Sequence, residues 1–397
     1  MALTSASFMG VGGYTTVLLT KLDKIDCSQV LSAVLKADKE LLGHIKMGPP
    51  AENREVNWIE DELVGCQFEA VGVSSILVSI PVVLTDPYQS ALFRVKGIIK
   101  PVTSEDYVQI TSYTTSALVV TAYPVSGTFT TTSATCTWQV VAMPYADLDD
   151  ASSDISQARS KRRNFTQVFE RALQITQTRK GISMEAVVDE LQHQIKMRTL
   201  EIKRELDIAV INGIAQISGT TASGLSEWST MHGIINYIRD WDLDINNEDT
   251  LVTNAAGALT ISNINTLIYD IWNAGGLDEM SDPIILVGAA QQRYIAAFEK
   301  ELRRVEQGER QVGFYRDIFL SDMGKEFPVV LDRWMPPDKL IVLDRARVAL
   351  RALTGDAWHM EKMAKTGRSE KWQISGQYTI EVRNADKCHG LLHGLTP

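Results

Sequence analysis

Apolar residues recur at alternating intervals of three and four positions between Glu185 and Ile217, which is the strongest periodic signal in the chain. Residues with this spacing lie on one face of an α-helix. They are Met184, Val188, Leu191, Ile195, Ile202, Leu206 and Ala209, with a polar gap at Arg198 and Thr199. A helix of about 33 residues is about 50 Å long. The pattern therefore predicts one long helix, which would serve well as a beam across a flat molecule.

The residues at both ends of this pattern suit the ends of a helix. Ser183 is a good N-cap, and the carboxylates of Glu185 and Asp189 suit the positive end of the helix dipole. Gly219 is a typical closing residue, and Asn212-Gly213 offers an end about one turn earlier.

A basic stretch, RSKRRNFTQVFERALQITQTRKGIS, leads directly into the predicted helix. It holds seven Lys or Arg residues against one acid, Glu170, in a chain whose formal net charge is -10. The overall acidity argues against a protein that coats nucleic acid through general positive charge. The overall charge of the chain does not account for this extended cationic ribbon, so its function must depend on a local contact.

The composition changes sharply between Val71 and Val141, where only six charged residues occur and Thr, Ser, Val and Ile dominate. Short alternating runs such as YVQITSY, ALVVTAY and CTWQVVAM are separated by Gly, Pro and Ser. This pattern predicts a small all-β module, either a barrel or a sandwich. An acidic, Ser-rich segment, DLDDASSDISQ, follows it.

Strand and helix patterns alternate after the long helix. SNINTLIYDIWNAGG reads as a helix closed by Gly275, DPIILVG as a buried strand, and AAQQRYIAAFEKELRR as a second helix that runs into a charged loop. This spacing predicts an α/β core, and the remaining C-terminal sequence reads mainly as strands.

The sequence predicts neither membrane contact nor secretion. No run of about 18 apolar residues occurs, and the N-terminus has no basic flank before its apolar part. The cysteines lack paired spacing, so we expect reduced thiols in a cytosolic protein. They are Cys27, Cys66, Cys136 and Cys388.

Three motifs resemble cofactor or metal sites, and each lacks an essential feature. GTTASGLS has Leu225 where a phosphate-binding loop needs lysine. DWDLDINNED has Ile245 where a calcium loop needs glycine, and Leu251 where it needs a bidentate glutamate. CHGLLH offers Cys388, His389 and His393 as metal ligands, but no second ligand cluster completes a zinc site. We therefore expect no cofactor and no required metal.

Signatures of nucleophilic catalysis are missing as well. The sequence contains neither an elbow-type G-x-S-x-G nor H-E-x-x-H, and its six histidines are scattered. We therefore expect no catalytic residues, although a triad assembled in space leaves no local signature.

Several strings, in this order, resemble the major capsid proteins of tailed bacteriophages, specifically one subfamily of the Hong Kong 97 fold. NFTQVF and TRKGI precede the long helix, ELDIAVINGIAQ lies late in it, and MHGIINYI follows it. The run FLSDMGKEFPVVLDRWMPPDKLIVLDRARVALRALTG is similar to that subfamily's closing region. So is KMAKTGRSEKWQISGQYTIEVRNADKCHGLLHGL. The resemblance covers roughly residues 53–395.

The resemblance implies an α+β fold with five parts: an N-terminal arm, an extended loop, a small all-β domain inserted into that loop, a peripheral domain built on the long spine helix, and an axial α/β domain. The N-terminal arm would be residues 1–52, and the extended loop would be 53–70 with 144–182. The inserted β domain would be 71–143. The peripheral domain would be 183–232 with 354–397, and the axial domain 233–353.

It also implies the function, namely a capsid protein that self-assembles into hexamers and pentamers of an icosahedral virion shell around double-stranded DNA. The DNA would be enclosed without sequence-specific binding. Expected partners are other copies of the chain, with portal, scaffolding and decoration proteins. The expected location is the virion capsid, assembled in the host cytoplasm.

Two charged segments become candidate contacts between subunits. An extended loop lies over a neighbour, where cationic side chains can pair with acids of that neighbour. The charged loop EKELRRVEQGER would lie near the capsomer axis, where copies meet. The candidate contact residues are Arg159, Lys161, Arg162 and Arg163 in the ribbon, and Arg303, Arg304, Glu306, Glu309 and Arg310 in the loop.

Alternatives remain open from sequence alone. The ribbon is also consistent with a solvated basic strand or with contact to packaged DNA. An encapsulin-like cellular compartment would share the fold. From a different class, a metal-assisted hydrolase would use His232, Asp240, Asp242 and Asp244.

Overall fold

The computed structural model describes most of the chain as two compact units, one formed by residues 59–161 and the other by the rest. The described residues are 40–61, 66–70, 77–83, 93–103, 107–114, 117–122, 136–145, 147, 159–178, 189–217, 228–240, 251–298, 303–307, 315–365 and 367–397. Within these ranges, no helix is both long and apolar enough to cross a membrane.

The described chain is built mainly of strands, with helices before, between and among them. The helices are α1 (Glu40–His44), α2 (Glu190–Asn212), α3 (Ile234–Arg239), α4 (Ile261–Asn273), α5 (Gly276–Glu279), α6 (Ala289–Ala297) and α7 (Ala385–Cys388). The first strands are β1 (Lys46–Met47), β2 (Glu55–Glu60), β3 (Gln67–Ala70), β4 (Leu77–Val83), β5 (Ile98–Pro101), β6 (Val108–Thr114), β7 (Ala117–Ala122), β8 (Cys136–Ala142), β9 (Ser160–Phe165), β10 (Gln167–Thr176), β11 (Gln216–Ile217) and β12 (Ser229–Thr230). The remaining strands are β13 (Val252–Gly257), β14 (Pro283–Val287), β15 (Arg303–Gln307), β16 (Tyr315–Leu320), β17 (Glu326–Leu331), β18 (Leu340–Asp344), β19 (Val348–Ala352), β20 (His359–Lys362), β21 (Ser369–Val382) and β22 (Gly390–Leu395).

The smaller unit is a closed antiparallel barrel with the strand order β3-β4-β7-β6-β5-β8. Its core includes Trp138 and Ile99, both fully buried, and the rings of Phe68 and Phe93, which meet edge to face at 4.9 Å. Closure pairs both edges of every strand, so Thr-, Ser- and Val-rich strands leave no open sheet edge. The barrel strands run from Gln67 to Ala142, close to the span for which the sequence predicts an all-β module.

The larger unit contains a five-stranded sheet with the order β1-β19-β21-β10, in which β20 also pairs with β21. β10 runs antiparallel to β21 from the pair Gln167–Tyr378 to the pair Thr176–Ser369. Phe169, Leu173 and Ile175 are buried along β10, and polar residues alternate with them. Residues 167–176, which the predicted layout places in the extended loop of 144–182, thus pair with a strand of this sheet.

The long helix α2 packs against β10 and β21 through its second half. Ile202, Leu206, Val210 and Ile211 are buried there. The described helix begins at Glu190, where the Asp189 carboxylate caps it by accepting hydrogen bonds from the N–H groups of Leu191 and Gln192. The predicted cap Ser183 lies outside the described residues. The helix ends at Asn212, which is the earlier of the two ends that the sequence predicts.

A seven-stranded mixed sheet follows, with the order β13-β22-β18-β14-β17-β16-β15. Every residue of β18 is buried, and Ile284–Val287 of β14 are buried beside it, which explains their unbroken apolar sequence. The last strand, β22, pairs with β13 and β18. Residues 390–395 therefore lie in this sheet, whereas the sequence layout grouped 354–397 with the long helix.

The segment from Glu40 to Ala51 packs along the larger unit. β1 runs parallel to β19, and Arg351 donates from Nε to the Pro49 carbonyl at 2.9 Å. The buried Glu381 carboxylate holds the same guanidinium at 2.8 Å. Residues 1–39 of the expected N-terminal arm lie outside the described residues.

Candidate assembly interfaces

The first part of the basic stretch forms β9, which pairs with β2 in a two-stranded sheet, called the ribbon from here on. Along β9, Lys161 and Arg163 are exposed. Arg159, just before β9, forms an ion pair from Nε to Asp61 Oδ2 at 3.1 Å, with the two side chains 69% and 58% exposed. A pair so open to water contributes little to the stability of the subunit. Three of the four predicted ribbon cations therefore remain accessible to a partner.

Arg162 differs from its neighbours, because strand alternation turns it inward. It is 8% exposed, and one guanidinium nitrogen lies 3.7 Å from the Asp386 carboxylate of the same chain. Arg163, on the opposite face, lies over the Phe165 ring at 5.9 Å. The structure thus separates one internal arginine from the exposed cations that the sequence grouped with it.

Asn164 joins strand β9 to two distant segments of the larger unit, a role not predicted from the sequence. Its fully buried side chain donates from Nδ2 to the carbonyls of His232 at 3.0 Å and Ile380 at 2.8 Å. Its Oδ1 accepts from the N–H groups of Phe165 at 2.8 Å and His232 at 2.9 Å. One amide therefore ties three separate chain segments together, although no local pattern in NFT indicates that role.

The predicted charged loop near the capsomer axis is partly a strand. Arg303, Arg304 and Glu306 lie in β15, the last strand of the seven-stranded sheet, where Glu306 stands opposite Arg316 of β16. The antiparallel partner supplied by residues 315–319 explains why this charged sequence is extended. Glu309 and Arg310 lie outside the described residues.

The residues of the hydrolase alternative do not form an open site in the described chain. His232 is buried; its Nδ1 accepts from the Ala215 N–H at 3.0 Å, and its ring meets Tyr237. Burial lowers the pKa of His232, although backbone hydrogen bonds oppose that shift. Asp240 is also buried, and Asp242 and Asp244 lie outside the described residues. His232 has the contacts of a core histidine.

The CHGLLH motif is likewise part of the core. His389 Nδ1 accepts from the Asp344 N–H at 3.2 Å, and Nε2 therefore carries the proton that it donates to the Arg383 carbonyl at 3.2 Å. Burial raises the pKa of Cys388 to about 11. Both nitrogens of His389 are thus engaged. Across the residues the structure describes, no cluster of three His, Cys, Asp or Glu side chains suits a metal ion.

His389 predicts a pH dependence of stability. Burial lowers its pKa to about 4, whereas an unfolded histidine titrates near about 6.5. Between these values the unfolded chain binds the proton and the folded chain does not. The contribution of His389 to the free energy of unfolding is therefore fully present above pH about 6.5. It is lost, by about 3 kcal/mol, as the pH drops toward 4.

The variant His389→Gln should flatten this part of the pH profile, because glutamine does not titrate. Urea unfolding at intervals between pH 7 and pH 4 measures the effect. The exposed His359→Gln variant is the matched control and should follow the wild-type profile. Identical pH slopes for His389→Gln and wild type would contradict the assignment.

The two units, one a closed barrel and the other a long helix on a narrow sheet with a seven-stranded sheet, match a known class of protein. The chain has the fold of phage capsid proteins. It aligns with the capsid protein of cyanophage A-1(L) over 97% of this chain and 100% of that one, at 10% identity and a TM-score of 0.54. The SrpI encapsulin from Synechococcus elongatus aligns more weakly, over 59% of this chain and 76% of that one, at 12% identity and a TM-score of 0.41.

The sequence comparisons identify the family. The major capsid protein of Escherichia phage Phieco32 is 20% identical over 300 residues, which cover 62% of this chain and 82% of that protein. The family model described as SU10 major capsid protein matches residues 11–396. The chain therefore belongs to the SU10 major capsid protein family. The resemblance to phage major capsid proteins predicted from the sequence is confirmed, and the family is one of structural proteins.

Proposed function

We propose that this chain assembles into hexamers and pentamers of an icosahedral virion shell that encloses double-stranded DNA. The observation that carries this proposal is the capsid-family match over residues 11–396, almost the whole chain. The role is structural and requires neither a catalytic residue nor a cofactor. One sequence must occupy both kinds of ring, so its cores stay rigid while its contacts between subunits adapt.

We assign the parts of the capsid fold to the described elements. The segment up to residue 52 is the N-terminal arm, and the β2–β9 ribbon is the stem of the extended loop. The barrel is the domain inserted into that loop. The five-stranded sheet with α2 is the peripheral domain, and the seven-stranded sheet is the axial domain. This assignment keeps the order of parts predicted from sequence and moves β10 and β22 to the sheets in which they pair.

The ribbon supplies part of the contact between neighbouring subunits. Arg159, Lys161 and Arg163 are exposed on a chain whose net charge is -10, so acids on a second copy are abundant partners. Each exposed pair contributes about 0.2–1 kcal/mol. A closed shell repeats every pair at each subunit, and the small contributions add up over the particle.

Further partners follow from the role in the virion. Portal, scaffolding and decoration proteins act on the same shell, and assembly takes place in the host cytoplasm. The shell encloses the DNA without recognising its sequence, because an acidic protein does not attract phosphate groups through its overall charge.

Light scattering and negative-stain microscopy of the purified chain test this proposal. We expect shells or ring-shaped capsomers, because the exposed cations of the ribbon contribute little within a single subunit. A single species near the subunit mass of 44.0 kDa over a wide concentration range would overturn it. Bound metal with esterase or nuclease activity would favour the hydrolase instead.

A further inference from the structure

An open pocket lies on the outer surface of the barrel, beside the start of β5. Its volume is about 430 Å³, which is within the range of about 300–1,000 Å³ that is usual for ligand pockets. Most of its wall is apolar, and its polar groups are one lysine and one amide. The lining residues are Lys96, Ile98, Gln109, Ala142, Met143 and Pro144. This combination suits a ligand that has both an apolar part and an anionic part.

A β-bulge shapes one side of the pocket. Ile98 of β5 stands opposite Ala142, whereas Ile99 stands opposite Val140, so Val141 is an extra residue in β8. Val141 and Ala142 are both exposed, although regular alternation would turn one of them inward. Bulges re-aim side chains in this way and are frequent beside functional sites. The bulge therefore presents apolar side chains of β8 on the outside of the barrel.

Lys96 stands in a turn where a lysine is unfavourable. The Gly97 N–H donates to the Arg94 carbonyl at 3.0 Å, which places Val95 and Lys96 at the two central positions of a β-turn. Lys96 has a φ of 71°, in the left-handed region. Glycine or asparagine is usual at such a position, because a larger side chain disfavours that backbone conformation. Because the conformation costs free energy, a lysine here indicates a role for its side chain rather than for the turn.

Positive charge accumulates around the pocket. Arg94, from the same turn, lies over the Tyr145 ring with Cζ 3.8 Å from the ring centroid. Lys100 lies on the outer face of β5, as the alternating burial of that strand indicates. In a chain whose net charge is -10, three cations and no acid occur within residues 93–103, 107–114 and 136–145.

Two acids are described in the barrel and just after it, and neither neutralises the turn. Glu69 of β3 pairs with Thr137, at the opposite end of β8 from the pocket. Asp147 is exposed, and within the described ranges no ion pair joins it to Lys96 or Arg94. A carboxylate supplied by a ligand would therefore complement the charge of the pocket.

We propose that this pocket binds an extended peptide segment of a partner protein, in which Asp or Glu stands next to an apolar residue. Lys96 pairs with the carboxylate, and the apolar side chain packs against Ile98 and Met143. Gln109 donates from Nε2 to the Lys96 carbonyl at 3.4 Å, which orients its amide beside the lysine. A peptide suits the site better than nucleic acid, because phosphate and sugar groups gain little from an apolar wall. The inference goes beyond shell assembly, since the site lies within the barrel.

A random peptide library selected on the purified full chain tests the chemistry of the ligand. The enriched peptides should carry Asp or Glu next to Leu, Ile, Met or Phe. One of them, labelled with fluorescein, then serves as the probe in fluorescence anisotropy. Its counterpart with Gln in place of Glu should bind about tenfold more weakly, because the charged contact is lost. Binding of the acidic probe should also weaken as salt is added.

Variants of the turn test the role of the lysine. Lys96→Asn removes the cation but suits the left-handed conformation, so it should melt like wild type and bind the probe about tenfold more weakly. Lys96→Arg keeps the charge and should bind like wild type. Lys365→Asn, which removes an exposed lysine of the larger unit, is the matched control and should also bind normally.

Several results would overturn the proposal. They include a selection that enriches no acidic peptides, and a probe that binds Lys96→Asn as tightly as wild type. A DNA oligonucleotide that displaces the probe at a lower concentration than the unlabelled peptide would identify a nucleic-acid site instead. Loss of shells in Lys96→Asn would identify a second copy of this chain as the occupant. Normal shells from Lys96→Asn that no longer bind the probe would support the peptide site.

Discussion

Replacing Asn164 with alanine is expected to lower the free energy of unfolding of the subunit by about 3–5 kcal/mol. The change removes four hydrogen bonds and leaves the carbonyls of His232 and Ile380 and two N–H groups without that amide. An unsatisfied buried polar group costs about 1–3 kcal/mol, and water reaches this fully buried position poorly. Because a folded domain is stable by only about 5–15 kcal/mol, the loss is a large fraction of the total.

Urea unfolding of unassembled subunits, followed by tryptophan fluorescence, measures this loss. Asn57→Ala is the matched control, since Asn57 is an exposed asparagine of the same ribbon. Its effect should stay within about 0.5 kcal/mol. If both variants unfold at the same urea concentration, Asn164 does not join β9 to the segments around His232 and Ile380 in the way its hydrogen bonds indicate.

Replacing the three exposed ribbon cations together, as Arg159→Ser, Lys161→Ser and Arg163→Ser, should sharply reduce shell formation and leave the subunit folded. These side chains contribute little within their own subunit, where the Arg159–Asp61 pair is open to water. Contacts between exposed charges are screened by salt, so the remaining shells should dissociate at lower ionic strength than wild type. Microscopy and light scattering across a salt series measure the effect, and circular dichroism reports the fold.

Arg162→Ser is the informative comparison for the ribbon variant. Its side chain is buried against Asp386, so we expect a loss of about 1–3 kcal/mol in the subunit itself. Unfolding of the triple variant would mean that the exposed cations belong to their own core. Normal shells that package less DNA would mean that the cations face the genome, which would contradict the extended-loop assignment.

Local periodicity predicted several helices and strands but not the pairing of strands that are distant in the sequence. Leu206 and Val210 could be placed on one helix face, and the buried strand at residues 283–287 could be recognised, because their apolar spacing is local. Along β10, Phe169, Leu173 and Ile175 alternate with polar residues, yet the family resemblance implied that they belong to an extended loop. The place of β10 in a sheet depends on β21, a strand about two hundred positions away, and α2 packs against both strands.

By itself the sequence determined the family, the long helix, the all-β character of the segment around Val71–Val141 and the accumulation of cations before the helix. Each of these depends on residue order or local spacing. Only the tertiary structure decided that Arg162 is internal while Arg163 is exposed, that Asn164 bonds to a residue 216 positions away, and that β22 completes the seven-stranded sheet. Strand pairing between distant segments sets which face of each strand is covered, and that pairing leaves no mark in the neighbouring sequence.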